Sequence, residues 1–318
     1  SPAPRPAGRA RATLPTSPAS LRSDGAATPI VAPQSEEEDL RLIPSPRRAM
    51  PPPFPPDLDW VGVAPLSMEM FKGQVVLIEV WESSCINCLR SLPVLALLQN
   101  HYRNNGFMVI GIHSPEYSFN ASRAVVERAT RRFGLEFPVA SDTRMTFWRS
   151  WDVRGWPTVF LLDAHGRLAH LHQGEMNAAA LERRIRALLR EARPQSRFPE
   201  TAIPLDRDSY APECGFATPE IPTQPGMDFL LNPEGYKRGQ TVVYGDPGPV
   251  RSEGTFFLRG PWSWLFNGLQ RGAGRQQASI GITYTAKEVY AVIGNAAETG
   301  LDVEVRQDAD GRGIWRLA

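Results

Sequence analysis

Cysteine is scarce in this sequence, with three among 318 residues. That number is too small for the disulfide framework that holds many small secreted domains together. The fold must therefore rest on apolar cores, for which a hydrophobic content of 42% is sufficient. Two of the cysteines, Cys85 and Cys88, are separated by two residues, and Cys214 is alone. This distribution is typical of one functional pair with an unpaired third thiol.

An excess of charge is also missing, because 35 basic and 34 acidic residues leave a formal net charge of +1. A nucleic-acid-binding protein normally carries a basic surface, so this balance argues against a nucleic-acid partner. No apolar run approaches the ~18 residues of a membrane-spanning helix. The opening residues lack a charged segment followed by an apolar core, so no signal peptide is visible.

Proline, in contrast, is abundant, and its thirty copies concentrate in residues 1–57 and 193–225. Segments that are rich in proline and poor in apolar clusters are typical of extended linkers. We therefore predict a disordered leader or linker over 1–57 and a second linker over 193–225. The remaining segments, 58–192 and 226–318, are predicted to be two folded domains.

Residues 58–192 alternate short apolar runs with helical periodicity, which predicts an α/β domain. Strands and helices alternate up to a terminal hairpin and helix, an order that favours a mixed central sheet with helices on both faces. Asn177 is suited to cap the last helix, because its side-chain oxygen can accept a backbone N–H. The predicted strands are 75–81, 107–112, 137–140, 158–162 and 167–172, and the predicted helices are 86–104, 121–133, 144–151 and one after Asn177.

Residues 226–318 contain short β-rich runs between Gly, Asp and Asn turns, with almost no helical periodicity. This pattern predicts an antiparallel β-sandwich, smaller than the first domain. Its aromatic residues are candidates for stacking on a sugar or a peptide, although aromatics that alternate along strands are also ordinary core residues. They are Phe256, Phe257, Trp262 and Trp264.

The pair Cys85 and Cys88 fits a redox couple better than a metal site or a structural bridge. Zinc sites normally have four ligands, and no second Cys-x-x-Cys accompanies this one, although His170 and His172 share a strand face. A disulfide across so short a loop would constrain the unfolded chain very little. Cys85 stands where a strand gives way to a helix, so backbone N–H groups and the helix dipole favour its thiolate. Cys88, nearly one turn later, is placed to attack a mixed disulfide.

Residues 58–192 resemble the thioredoxin fold and, within it, the TlpA/DipZ-like disulfide reductases. The resemblance is carried by the ordered motifs SCINCLRSLP, VIGIHSPEY, FPVASD and GWPTVFLLDAHG. It is also carried by single positions around the cysteines. These are Glu79 six residues before Cys85, Trp81 four residues before it, Pro93 five residues after Cys88, and the tripeptide Trp156-Pro157-Thr158.

The resemblance implies roles for these residues. Glu79, if buried beneath Cys88, would have a raised pKa and would take the proton of Cys88 as that sulfur attacks. Pro157, if cis, would present the backbone of Trp156 to an incoming chain. Trp81 is the aromatic residue under the active site, and we group it with Trp156 and Pro157 as substrate-binding.

The resemblance also implies partners and a location. Protein thiols and disulfides are the expected clients, and the only cofactor expected is the redox-active disulfide Cys85–Cys88 itself. A membrane electron donor of CcdA type is an expected partner, since no membrane half accompanies these domains. The expected location is extracytoplasmic, in the periplasm or cell envelope. Residues 226–318 resemble the carbohydrate-binding-module-like sandwich of DipZ-type proteins in shortened form, with carbohydrate or peptide as the expected ligand.

Several positions depart from ordinary thioredoxins. Ser84 replaces the tryptophan before the first cysteine, Ile86-Asn87 replaces Gly-Pro, and Trp156 replaces a small residue before the proline. Redox potential and client fit therefore cannot be transferred, and only the resemblance favours reduction of protein disulfides. Two alternatives remain at this point: a thiol peroxidase on the same fold, and a cell-surface binding protein with an idle cysteine pair.

The loop after the second predicted strand carries three further candidates. His113 and Glu116 either act beside the cysteines or shape the loop. Asn120-Ala121-Ser122 fits the N-glycosylation sequon, a weak pattern that depends on a secretory route.

Overall fold

A computed structural model describes residues 42–203 without a gap. Beyond them it describes residues 218, 220–223, 229–249, 252–265, 268–274, 276–286, 289–293, 301–306 and 312–317. Cys214 lies outside the described residues, as do most of the predicted leader and part of the predicted second linker.

Six strands form one mixed sheet, with the most apolar strand near its centre. The strands are β1 (Asp59–Val61), β2 (Val75–Trp81), β3 (Phe107–His113), β4 (Val139–Ser141), β5 (Thr158–Leu162) and β6 (Leu168–Gln173). Their spatial order is β1-β4-β3-β2-β5-β6. β2, β3 and β4 run parallel, while β1, β5 and β6 each pair antiparallel with a neighbour. All seven residues of β2 are buried, which is why its sequence is an almost continuous apolar run.

Helices cover both faces of this sheet, as the sequence predicted. They are α1 (Ile86–Tyr102), α2 (Arg123–Arg132), α3 (Thr146–Ser150) and α4 (Ala178–Ala192), joined by 3₁₀ turns at Ser45–Arg47, Met68–Phe71, Arg103–Asn105 and Ser118–Asn120. One apolar cluster unites the sheet with α1, α2 and α4, and the other unites it with α3. The side-chain oxygen of Asn177 accepts from Ala180 N at 2.8 Å, which confirms the predicted cap of α4. This is a thioredoxin-like fold, and no helix in the described residues has the length and apolar character needed to cross a membrane.

The edge strand β1 was not predicted. It has three residues, with only Trp60 buried, and a segment this short shows no periodicity. Its hydrogen bonds to β4 are what make it a strand. β4 itself begins two residues later than predicted, at Val139.

The two linker predictions were wrong where the described residues overlap them. Residues 42–57 lie against the sheet, because Ile43 N donates to Ala169 O at 2.7 Å and Ala49 O accepts from Leu168 N at 2.8 Å. Residues 193–203 lie on α4, where Ile203 N donates to Glu182 Oε2 at 2.8 Å. A few apolar and backbone contacts therefore fix segments whose average composition is typical of linkers.

Arg48 anchors the first of these segments through buried charge. Its guanidinium donates to Asp163 Oδ2 at 3.1 Å and to both oxygens of Glu191 at 2.9 and 3.0 Å. Asp163 also pairs with Arg167 at 2.9 Å and Glu191 is partly exposed, so the loss of Arg48 removes charged hydrogen bonds without leaving a buried charge alone. We expect Arg48→Met to lower the free energy of unfolding by about 2 kcal/mol, measured by urea denaturation. Arg47→Met, at the exposed neighbouring position, is the matched control, and an equal loss in both variants would contradict the anchoring role.

The C-terminal part is built of antiparallel strands, as predicted. One sheet has the order β10-β8-β7 with β9 also paired to β8, and β11 pairs with β12. The strands are β7 (Thr241–Tyr244), β8 (Thr255–Leu265), β9 (Gly268–Arg271), β10 (Ser279–Thr283), β11 (Leu301–Arg306) and β12 (Arg312–Leu317). The domain bounds 226–318 and the sandwich arrangement stay predictions.

Two of the four aromatic candidates in this part belong to its core. Phe256 is 0% and Trp264 2% exposed, and Trp264 Nε1 donates to the Tyr244 hydroxyl at 2.5 Å. Their rings are therefore not available to stack on a ligand. Phe257 and Trp262 are half-buried, and only these two keep a partly accessible ring.

Candidate redox site

Cys85 and Cys88 lie together at the start of α1, beyond the end of β2. Cys85 is the N-cap residue of the helix, and its sulfur accepts from Cys88 N at 3.3 Å. The two Sγ atoms are 2.7 Å apart, with the Cys88 thiol donating to Cys85. Cys85 is half-buried and Cys88 is 0% exposed. The first sulfur can therefore meet another molecule, and the second can be reached only through the first.

Glu79 lies in β2 under this pair, without any exposure to solvent. Its Oε1 accepts from the hydroxyl of Ser91, and its Oε2 has no hydrogen-bond partner within the described part of the chain. Burial raises the pKa of this carboxyl to about 8, against a small opposing effect of the Ser91 hydroxyl. At neutral pH the group is mostly protonated. As the pH rises, a larger fraction is carboxylate, which is the form that can accept a proton.

The Cys88 thiol is also held in its protonated form. Burial is the main cause that raises its pKa well above the usual range, and the neighbouring Cys85 and the charge of Glu79 act in the same direction. A buried thiol of this kind becomes a nucleophile only when a nearby group takes its proton. Glu79 is the neighbouring carboxyl, and its charge is one of the causes that raise the pKa of the Cys88 thiol.

Glu82 holds the loop between β2 and α1, a role that the sequence reasoning missed. Its carboxylate is 0% exposed and accepts from Ser84 N at 2.6 Å and from Ser84 Oγ at 2.5 Å. It also accepts from the amide nitrogen of Asn120, which itself lies 3.0 Å from Ser84 Oγ. Asn120 is 7% exposed, so its amide is committed to the fold and is closed to a glycosylating enzyme.

His113 shapes the same loop from the end of β3. Its Nε2 accepts from Ser83 N at 3.2 Å, and its ring meets the Trp81 ring edge-on at 5.0 Å. Burial lowers the pKa of His113 to about 4 in spite of the nearby Glu82, so the ring is neutral at physiological pH. Burial, followed by the charges of Glu220 and Glu82, raises the pKa of Glu116 to about 7.

Trp156 and Pro157 lie at the same end of the sheet as the cysteines. Thr158 pairs with Val80, which places the preceding two residues beside the end of β2. The Trp156–Pro157 bond is cis. Trp156 is half-buried, its Nε1 donates to Ser114 O at 2.9 Å, and its ring packs on Trp148 at 4.2 Å. An aromatic surface therefore lies at the same end of the sheet as the half-buried Cys85.

Trp81 does not fit the expected role in substrate binding. It is 0% exposed and belongs to the same apolar cluster as Cys88. Gly111 of β3 leaves room for its indole, since a Cβ there would lie 3.0 Å from Trp81 Nε1. The residue supports the site from inside the domain and offers no surface to a client.

The two histidines considered as metal ligands lie on β6, and an arginine that could polarise a peroxide, Arg90, lies two residues after Cys88 on α1. His170 and His172 stack on β6 with ring centroids 6.3 Å apart, and no three His, Cys, Asp or Glu side chains converge as metal ligands among the described residues. Arg90 is exposed, and its guanidinium donates to Glu175 at 2.9 Å.

Comparison with known proteins shows what the first domain is similar to. Residues 61–189 match the family model of Redoxin. The chain is 32% identical over 240 residues to Protein DipZ of Mycobacterium tuberculosis, a match that covers 74% of this chain and 33% of that protein. It is 25% identical over 127 residues to the thiol-disulfide oxidoreductase ResA of Halalkalibacterium halodurans, covering 40% of this chain and 69% of that protein.

Among solved structures, a thiol-disulfide isomerase from Corynebacterium glutamicum matches with 25% identity and a TM-score of 0.40, over 43% of this chain and 96% of that one. The chain spans about a third of the length of DipZ. Its likeness to DipZ is longer than the Redoxin segment and reaches into the residues outside it. Residues 61–189 are therefore similar to the Redoxin family, and the chain is similar to parts of DipZ and of the thiol-disulfide oxidoreductase ResA.

Proposed function

We propose that this protein is an extracytoplasmic thiol-disulfide oxidoreductase that reduces disulfides of client proteins through Cys85 and Cys88. The observation that carries the proposal is the arrangement of the two sulfurs. They are 2.7 Å apart, one half-buried at a helix start and the other buried near a carboxyl. This geometry lets one thiol meet the client and the other resolve the product.

The reaction has two exchanges. The Cys85 thiolate attacks one sulfur of the client disulfide, forms a mixed disulfide and expels the other client sulfur as a thiolate. Cys88 then gives its proton to the Glu79 carboxylate and attacks Cys85, so that the Cys85–Cys88 bond forms and the second client thiolate leaves. Two electrons pass from the protein to the client, and the client thiolates take up protons from solvent.

Trp156 and Pro157 are proposed to hold the client chain. The half-buried Trp156 ring packs against Trp148 beside the end of β2, so it is supported on one side and accessible on the other. An extended client segment can lie across this surface with its disulfide at Cys85.

The redox pair is the only cofactor that this reaction requires, but it must be reduced again after each turnover. A membrane electron donor of CcdA type is the proposed source of electrons, and periplasm or cell envelope is the proposed location. Both follow from the resemblance to DipZ-type proteins, with which the similarity extends beyond the Redoxin segment. The C-terminal strands are proposed to bind carbohydrate or peptide, and the balanced charge of the chain gives no support to nucleic-acid binding.

Reduction of insulin by dithiothreitol tests the proposal. The full chain should accelerate it, and equilibration with glutathione buffers should give a single two-electron couple for Cys85–Cys88. A reduction potential near −270 mV, at the thioredoxin end of the range, supports a reductase. A potential near −120 mV would assign the protein to disulfide donation instead. Rapid sulfenate formation by dilute peroxide, without insulin reduction, would favour the peroxidase alternative.

A further inference from the structure

The buried carboxyl of Glu79 has one hydrogen-bond partner among the described residues, the hydroxyl of Ser91. Glu79 is 0% exposed, whereas Ser91, on the second turn of α1, is half-buried. The carboxyl therefore has no contact with solvent, whereas the residue that carries the hydroxyl is partly accessible to it. No other described polar side chain connects this carboxyl with water.

Ser91 makes a second contact that depends on the state of the carboxyl. Its Oγ is 2.8 Å from the carbonyl oxygen of Cys88. A hydroxyl has one proton to donate, so Ser91 cannot donate to Glu79 and to this carbonyl at once. Both contacts are satisfied when the carboxyl is protonated and donates to Ser91, which donates to the carbonyl. When the carboxyl is ionised, the hydroxyl turns its proton towards it.

We propose that Ser91 is a positioning residue for the resolving step and that its hydroxyl conducts the proton of Cys88 from Glu79 to solvent. The inference rests on the proposed roles of Cys88 and Glu79. Once Glu79 has taken the proton of Cys88, the Ser91 hydroxyl turns from the Cys88 carbonyl towards solvent, releases its own proton to water and takes a proton from Glu79. The net result is one proton delivered to solvent, where the departing client thiolate is protonated, and a carboxylate restored for the next cycle.

Such a path is needed because the site itself favours the protonated carboxyl. Burial holds the pKa of Glu79 near 8, so the carboxylate that activates Cys88 is the minor form at neutral pH. Without a donor and acceptor at the surface, proton exchange would have to wait for water to enter a core of Trp81, Leu92 and Val159.

The two exchange steps can be measured separately with 5,5′-dithiobis(2-nitrobenzoate) as the disulfide. Attack by Cys85 releases the first thionitrobenzoate, and attack by Cys88 releases the second. Ser91→Ala is made in a Cys214→Ser background. We expect it to leave the first release unchanged and to slow the second about 10-fold, which is less than the rate enhancement that a general acid or base usually contributes. We also expect its pH profile to shift to higher pH, because the hydroxyl favours the ionised carboxyl.

Two variants separate proton conduction from a merely structural role. Ser91→Thr keeps the hydroxyl and should retain the second release within about twofold. Ser150→Ala removes a hydroxyl that makes the same kind of bond to its own helix, α3, at 3.2 Å to Phe147 O. It should leave both releases and the pH profile unchanged.

The outcomes distinguish this inference from the proposed function. If Glu79→Gln slows the second release but Ser91→Ala behaves like Ser150→Ala, the role of Ser91 is overturned and that of Glu79 stands. If Glu79→Gln also leaves the second release unchanged, both roles fail. If the unaltered protein releases only one thionitrobenzoate, Cys88 does not resolve and the proposed function itself is wrong.

Discussion

Serine in place of Cys88 is expected to convert the protein from a catalyst into a trap. The half-buried Cys85 keeps its thiol and still attacks a client disulfide, but the Cys88 thiol that would release the product has been removed. The mixed disulfide should therefore accumulate to nearly one per protein molecule, whereas Cys85→Ser should neither form it nor reduce insulin above the uncatalysed rate. Non-reducing electrophoresis and mass spectrometry of the adduct measure both results.

Cys214→Ser is the matched control for these variants, since it removes the remaining thiol of the chain. It should reduce insulin at the unaltered rate and form no stable adduct. Full activity in the Cys85→Ser protein would contradict the assignment of the nucleophile. Adducts on Cys88 in the unaltered protein would reverse the order of the two cysteines.

Glutamine in place of Glu79 should make the protein more stable, and increasingly so as the pH rises. The carboxyl titrates near pH 8 in the fold and near its ordinary value in the unfolded chain. Between these values the folded state holds more protons than the unfolded state, so the unaltered protein loses stability with rising pH. The loss is about 1.4 kcal/mol per pH unit and sums to about 4 kcal/mol at pH 8.

Urea denaturation at pH 5, 6, 7 and 8, with the thiols kept reduced, measures this difference. Both proteins contain the same cysteines, so the growth of the difference between them reports Glu79. The same substitution at Glu136, an exposed position, should give a difference that does not grow with pH. A constant difference for Glu79→Gln over the whole range would show that the carboxyl is not held in its protonated form.

Glu79→Gln should also reduce activity. Glu79 therefore serves the proposed reaction while it lowers the stability of the fold. In the unaltered protein the resolving step should accelerate as the pH rises through about 8, since the carboxylate that accepts the proton of Cys88 then becomes the major form. Protein stability and the rate of the resolving step therefore change in opposite directions over the same pH range.

Much of the fold could be predicted because its signals are local. The buried run of β2, the cap at Asn177 and the alternation of strands and helices each depend on neighbouring residues. The linker predictions failed because composition averages over many residues, while a single ion pair network at Arg48 and a few backbone bonds hold residues 42–57 in place. β1 was missed because three residues carry no pattern.

The site could be predicted only in part, for a related reason. The spacing of Cys85 and Cys88 at a strand-to-helix junction indicated a redox pair, and resemblance added Glu79, Trp156 and Pro157. Nothing local connects Glu82 with Asn120, 38 residues away, because that contact joins the loop after β2 to the 3₁₀ turn before α2. Trp81 was placed correctly near the cysteines, but only its burial shows that it cannot touch a client.

The sequence alone pointed to the proposed chemistry, since two cysteines in this spacing at a strand-to-helix junction favour a thiolate with a second thiol beside it. Only the tertiary structure placed the groups through which we propose that the protons move. The partners of Glu79 depend on the register of α1 against β2, which brings the hydroxyl of Ser91 onto a carboxyl twelve residues earlier. A pKa near 8 arises from the apolar cluster around that carboxyl, because only packing removes the water that would otherwise solvate its charge.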